Sequence, residues 1–145
     1  MEIINKKAHF NYFIEDTIEC GLVLTGTEVK SIRCGKANIK DCYGIIRNNE
    51  VYLVNMHISH YDSGNRFNHD EDKSRKLLLH KNEIKKLQNK IDLDGYSLVP
   101  VKLYFKNNKV KVLLGIGKGK KLYDKRETIK ERDQMREIKK EFKYK

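Results

Sequence analysis

The chain of 145 residues contains one proline and three cysteines, and none of its hydrophobic runs approaches the roughly 20 residues that a bilayer-spanning helix needs. That scarcity excludes a membrane-spanning helix, and Met1-Glu2-Ile3-Ile4-Asn5 does not read as a secretory signal. Cys20, Cys34 and Cys42 are odd in number and form no C-x-x-C pair. They therefore argue against a disulfide framework and a thiolate zinc site, and each is expected as a small buried or half-buried hydrophobe in a reducing, cytoplasmic setting. Neither H-E-x-x-H nor G-x-x-x-x-G-K-[ST] occurs. The nearest approach to a phosphate loop, Gly115-Ile116-Gly117-Lys118-Gly119-Lys120-Lys121, has the wrong spacing and reads as a flexible basic hinge.

What the chain does have is positive charge. Its 31 Lys and Arg against 20 Asp and Glu give a net charge of +11, which favours an anionic partner, nucleic acid foremost. The excess is uneven, because residues 118–145 carry 12 basic and 6 acidic side chains. Apolar residues, 39% of the whole, cluster before that point. The length suits one self-sufficient domain with an appendage, and the division falls into a body, 1–117, and a basic tail, 118–145.

Within the body, Phe10 and Tyr12 alternate with His9 and Asn11 as in a short strand, and the acidic stretch 15–21, closed by Gly21, reads as one or two helical turns. An apolar run at 22–24 leads into a turn at Thr25-Gly26, and a short helix with Val29 and Ile32 on one side ends at Gly35. That helix gathers Lys30, Arg33 and Lys36, either as a phosphate-facing group or as an ordinary solvated face. Two hairpins follow, the first turning at Asn48-Asn49 and the second at Asn107-Asn108, since asparagine tolerates positive φ. Pro100, lacking an amide donor, belongs at an edge or bulge. Between the hairpins lie a long polar loop at 60–74, a short strand at 75–80 and an amphipathic helix at 83–91 with Ile84, Leu87 and Ile91 in one stripe. About six mostly antiparallel strands with two or three short helices predict a mainly β fold. The expected form is a small closed antiparallel barrel of oligonucleotide-binding type with a basic C-terminal tail.

Catalytic readings have less to stand on. His60, Asp62, His69, Asp70 and Asp72 crowd the long loop, yet without metal-ligand spacing, so no metal is expected. Any two of His9, His57, His60, His69 and His80 would suffice for an acid–base nuclease, but nothing in the spacing brings a pair together. The tail has a clearer pattern. Wound at about 100° per residue, it places Lys125, Arg132, Arg136, Lys139 and Lys143 on one arc and most acidic groups opposite. Only Met135, Ile138 and Phe142 form an apolar strip, so the helix is expected to order on a polyanion rather than alone, or else to be a plain solvated helix.

Several blocks in order carry a resemblance: Asn5-Lys6-Lys7-Ala8-His9, Gly26-Thr27-Glu28-Val29-Lys30-Ser31, Gly35-Lys36-Ala37-Asn38, Asn55-Met56-His57-Ile58-Ser59, Asn65-Arg66-Phe67-Asn68-His69-Asp70, Arg75-Lys76-Leu77-Leu78-Leu79-His80, and Gly117-Lys118-Gly119-Lys120-Lys121 through Tyr123-Asp124-Lys125-Arg126. From Asn5 onward the chain resembles the small protein B (SmpB) family, the SsrA-binding proteins that partner transfer-messenger RNA in trans-translation. The resemblance implies a barrel that holds the tRNA-like domain of that RNA and a tail that is disordered alone and helical in the messenger channel of a stalled ribosome. It also implies a monomer with no catalytic activity, no cofactor and no membrane contact. Carried onto matching positions, the RNA-binding residues of the body are Asn5, Lys6, His9, Tyr12, Glu19, Lys30, Arg33, Lys36 and Asn38. Those of the tail are Lys118, Lys120, Lys121, Tyr123, Asp124, Lys125, Arg126, Lys130, Arg132 and Arg136. Glu71 stands where the family commonly has proline, which predicts a looser loop, and Tyr123 where some members have histidine.

Overall fold

A computed structural model of the chain describes residues 2–61, 68–121, 125–127 and 129–133. Its elements run β1 (Glu2–Ile4), α1 (Ala8–Asn11), β2 (Tyr12–Leu22), α2 (Gly26–Arg33), β3 (Ala37–Asn38), β4 (Tyr43–Arg47), β5 (Glu50–Val54), β6 (His57–Ile58), β7 (Arg75–Leu78), α3 (Lys81–Asp94), β8 (Ser97–Lys106) and β9 (Lys109–Gly119). Seven strands lie in the order β1-β8-β4-β5-β7-β2-β9, and β9 pairs back onto β8, which closes six of them into an antiparallel ring. β3 and β6 form a separate two-stranded ladder. Closure is uneven: β2 and β9 share a long register from Tyr12↔Gly119 to Gly21↔Lys111, whereas β4 meets β8 at one pair, Gly44↔Leu98.

Both hairpins turn where expected. Asn48 and Asn49 have φ of 51° and 60°, and Asn107 and Asn108 of 53° and 63°, the paired positive values that match the twist of the flanking strands. Pro100 adjoins a register shift between itself and Lys102, so its missing amide falls at a bulge. Gly95, at φ 68°, ends α3 in the left-handed conformation. The helix α2 begins with a capping box in which Thr25 and Glu28 satisfy one another's backbone amides.

Three local expectations fail. Residues 8–11 are helical, not extended. The acidic stretch at 15–21 is strand β2, held by β9 roughly a hundred residues downstream, so long-range pairing overrides the local helix and glycine-stop signals. The glycine-rich run at 115–119 is strand rather than hinge. Gly117 is required there because a Cβ would sit 2.2 Å from the Phe13 carbonyl oxygen, where the two backbones close up beside the bulge at Ile14/Asp16.

The core fills the ring with Val51, Leu53, Leu77, Val112 and Leu114, to which α2 adds Ile32 and α3 adds Ile84 and Leu87. Each such side chain stabilises the fold by about 1.5–3 kcal/mol on burial. Cys20 and Cys42 belong to this core, and burial pushes both thiols up to about 12. Cys34, at the C-cap of α2, is exposed, because the helix turns only Val29, Ile32 and their neighbours inward.

Candidate nucleic-acid interface

One end of the barrel, where α1 leads into β2 beside the last residues of β9, collects cations over aromatic rings. Lys120 Nζ lies 4.9 Å from the centre of the Phe13 ring, and the Arg132 guanidinium 5.4 Å from that of Phe10. Across the same end Lys118 and Lys90 flank Tyr96 at 5.0 and 5.7 Å. The register explains the gathering: Phe13 pairs with Lys118, Tyr12 with Gly119, and the Lys120 amide continues the ladder by donating to Asn11 O at 2.8 Å. Lys118 and Lys120, assigned to the tail from sequence, are thus built into the body. Such pairs lay the long cationic side chains along the rings.

Asn5 has a different place from the other body candidates. It is buried, its Nδ2 donates to Pro100 O at 3.0 Å, its backbone amide to Val101 O at 2.8 Å, and its Oδ1 accepts from the Lys7 amide at 3.2 Å. Asn5 therefore aims the turn that exposes Lys6 and leads into α1, where His9 is exposed. Tyr12 is half-buried at the start of β2.

A second group sits at the C-terminal end of α2. Lys30 lies 5.6 Å from the Tyr61 ring centre and Arg33 4.9 Å from that of Phe105, with Lys36 exposed just beyond the helix. Lys30 and Arg33 in the last turn also offset the negative end of the helix dipole. Asn38 Oδ1 accepts from the Lys40 amide at 2.9 Å, shaping the turn after β3. On the outer face of β2, Glu19 accepts a hydrogen bond from the Tyr104 hydroxyl and faces Lys106 Nζ at 3.3 Å. The Tyr104 hydrogen bond, foremost, and the lysines Lys106 and Lys111 hold this carboxyl below its usual range, so it is an ionised acceptor within a basic surface.

Beneath these surfaces lies a polar cluster that sequence reasoning missed. Arg75 and Glu28 are both fully buried, with Arg75 Nε donating to Glu28 Oε2 at 2.5 Å. The remaining guanidinium hydrogens reach Met56 O, Lys73 O at 3.0 Å, Asp70 O at 2.9 Å and Glu71 O at 3.1 Å. His69 is buried beside them. Its Nε2 donates to Ile58 O at 2.8 Å, which leaves Nδ1, 2.9 Å from Thr27 Oγ1, to accept from that hydroxyl. The cluster ties residues 68–75 to the N-terminus of α2 and so fixes the helix that carries Lys30 and Arg33. No local pattern could reveal it, because Glu28 and Arg75 are 47 positions apart.

Glu71, where the family commonly has proline, is tied to its neighbours: its carbonyl oxygen accepts from the Ile58 amide at 3.0 Å, and its carboxylate lies 3.3 Å from His57 Nε2 and 3.7 Å from His60 Nε2. Among the described residues, no group of three or more His, Cys, Asp or Glu is placed to hold a metal ion, and no helix is long and apolar enough to cross a membrane. In the tail, residues 125–127 and 129–133 are helical, the Lys125 amide donates to Lys121 O at 3.1 Å, and Arg126, Lys130 and Arg132 are exposed. Tyr123, Asp124 and Arg136 lie outside the described residues.

Fold and surface together define a class, a small basic barrel that displays cations and rings at one end and extends into a charged C-terminal segment. The family model for SmpB protein matches residues 2–144, and the chain belongs to that family. It is 59% identical over 138 residues to the SsrA-binding protein of a Geobacillus species, covering 95% of this chain and 89% of that one. The SsrA-binding protein of Geobacter metallireducens is 60% identical over 134 residues, covering 92% and 88%, and that of Bacillus subtilis 58% over 138 residues, covering 95% and 88%. A solved structure described as "tmRNA-SmpB: a journey to the center of the bacterial ribosome" matches with a TM-score of 0.70 and 40% identity, over 88% of this chain and 94% of that one.

Proposed function

We propose that this protein is a non-catalytic RNA-binding adaptor that holds the tRNA-like domain of transfer-messenger RNA on its barrel and carries it to stalled ribosomes for trans-translation. The observation that carries this reading is the cation–aromatic end formed by α1, β2 and β9, in a chain whose relatives are named for binding that RNA. Lys6, Lys118 and Lys120 there, and Lys30, Arg33 and Lys36 on α2, neutralise phosphates. The salt dependence of binding then counts the counterions they release. Exposed rings stack on unpaired bases, which is how proteins read RNA outside its helices. Glu19, an acceptor amid lysines, favours a base amino group or a 2′-hydroxyl at a position where phosphate is repelled.

The tail has the finer role. Lys125, Arg126, Lys130, Arg132 and Arg136 lie along the messenger channel as a helix in place of the absent codon–anticodon contact, with Lys121, Tyr123 and Asp124 leading into it. The test is a truncation, and β9 dictates its position. Ending the chain after Lys121 keeps the β2–β9 ladder intact, whereas ending it at Gly117 would remove paired residues. The truncated protein is expected to bind transfer-messenger RNA with affinity close to that of the full chain and to support no tagging of stalled peptides. Loss of RNA binding would overturn the division of labour, and retained tagging would overturn the role of the tail.

A further inference from the structure

A cleft of about 450 Å³ lies between the β4–β5 turn and α3, and none of the residues that line it belongs to the RNA-binding set assigned above. That volume falls within the range of about 300–1,000 Å³ usual for small-ligand sites. Two rigid elements form its walls. The turn contributes Asn48 and Asn49, both at positive φ, and Glu50 at the start of β5. From α3 come Lys81, Ile84, Lys85 and Gln88, the i, i+3, i+4 and i+7 positions of one helical face, with Asn89 beside them. Ile84 belongs to the core and is the one aliphatic side chain in the lining.

The charges in the cleft are unbalanced. Lys81 and Lys85 stand four residues apart on the helix, and among the described residues neither side chain has an ion-pair or hydrogen-bond partner. Like charges at that spacing disfavour the helix, a cost that a bound anion removes. Glu50, the one acid in the lining, is taken up by Lys76 Nζ at 3.4 Å. Glu83, in the first turn of α3, accepts from the His80 amide at 2.9 Å and does not line the cleft. Two lysines without a counterion match the nearly double negative charge of a phosphate monoester. The rest of the lining is rich in carboxamides. Asn48, Asn49 and Asn89 have no side-chain partner among the described residues, and Gln88, whose Nε2 bonds Asp92 at 3.1 and 3.0 Å, keeps its Oε1 as an acceptor. A carboxamide sets a donor beside an acceptor, the complement of N6 and N7 on the edge of adenine, whereas guanine presents two acceptors there.

We infer that this cleft binds an adenine mononucleotide, with its phosphate held between Lys81 and Lys85, its base edge on the asparagine carboxamides and its base face against Ile84. The site is separate from the surface assigned to transfer-messenger RNA and does not depend on the adaptor reading.

The test titrates the full chain with adenosine 5′-monophosphate and follows backbone and side-chain amide NMR shifts, with guanosine 5′-monophosphate, adenosine and ribose 5-phosphate as controls. The adenine nucleotide is expected to give saturable shifts at Asn48, Asn49, Lys81, Lys85 and Asn89, with a Kd below about 1 mM, the upper end of ordinary metabolite levels. Each control lacks the matching base edge, the phosphate or the base, and should bind at least about 10-fold more weakly. Lys85→Gln removes a charge from an exposed side chain and should weaken binding about 10-fold, the lower end for one lost hydrogen bond to a charged group. Lys86→Gln, at its exposed neighbour outside the cleft, should have no effect. Absence of saturation, shifts confined to other surfaces, equal binding of any control, or an equal loss in Lys86→Gln would each overturn the site. If Lys85→Gln fails to fold, the shifts in the parent chain and the ranking of the four ligands still decide. Calorimetry with saturating transfer-messenger RNA separates this site from the RNA surface: nucleotide affinity should be unchanged, and displacement by the RNA would overturn a separate site. Failure of that RNA to bind would count against the adaptor reading and leave the nucleotide result standing.

Discussion

Replacing Arg75 by methionine probes the buried cluster that holds α2 in place. Methionine retains much of the bulk, so the loss is polar: Glu28 loses the guanidinium at 2.5 Å, and the carbonyls of Met56, Lys73, Asp70 and Glu71 lose a donor. What remains at the Glu28 carboxylate is the Thr25 amide at 2.9 Å and Lys73 Nζ at 3.4 Å. Breaking a buried pair by removing one partner costs about 3–5 kcal/mol. That is a large part of the roughly 5–15 kcal/mol by which a domain is stable. The variant should melt roughly 10–20 °C lower.

The pH dependence supplies a second signature. In the parent, burial works to raise the Glu28 pKa, but the Thr25 amide, the hydrogen bond and charge of Arg75, and Lys73 outweigh it and hold the carboxyl below its ordinary value. The stabilisation is therefore fully present above about pH 4.3 and is lost as pH falls through the lower native value. Without Arg75 only the Thr25 amide and Lys73 still oppose the burial, and the Glu28 pKa is expected to rise above the ordinary value, so that protonation relieves the variant on mild acidification. Urea unfolding at pH 7 and pH 5 should show the deficit shrinking at pH 5, and Glu28→Gln added to Arg75→Met should recover part of it at pH 7. A deficit below about 1 kcal/mol, the scale of a surface pair, or one that grows on acidification, would refute the account of this cluster.

Gly117→Ala should destabilise the barrel by at least about 1–3 kcal/mol through forced backbone movement, because its Cβ position overlaps Phe13 O. Gly26→Ala, with nothing within 4 Å, should be close to neutral in the same urea titration. In the folded protein a thiol reagent should modify Cys34 alone, and Cys20 and Cys42 only after unfolding, since burial raises both of the latter to about 12. Tyr104→Phe should let the Glu19 carboxyl titrate nearer its ordinary value, read by carboxyl carbon NMR, and an unchanged titration would remove Tyr104 as its main support.

The parts of the fold legible in the sequence are those decided within a few residues. Asn48-Asn49 and Asn107-Asn108 announce their turns because the positive φ a tight hairpin demands is affordable to asparagine. The stripe of Ile84 and Leu87 and the stop at Gly95 mark α3 for similarly local reasons. β2 was not legible. Its residues 15–17 are acidic or polar and exposed, so no alternation shows, and it is a strand only because β9 supplies a partner along nearly its whole length. The same distance hid the union of Lys118 and Lys120 with Phe13 and Tyr96, the burial of Asn5 against Pro100, and the Arg75 cluster. For the candidate interface, the list of basic residues could be read from the chain, but not which of them share a surface.

The central claim is that this basic surface selects one RNA rather than any RNA. Competition between transfer-messenger RNA and bulk tRNA for the full-length protein, at one fixed salt concentration, tests it most directly. Transfer-messenger RNA should displace bulk tRNA at far lower concentration, and that preference should survive removal of the residues after Lys121. Equal competition by bulk tRNA would contradict the adaptor and leave a general basic RNA binder.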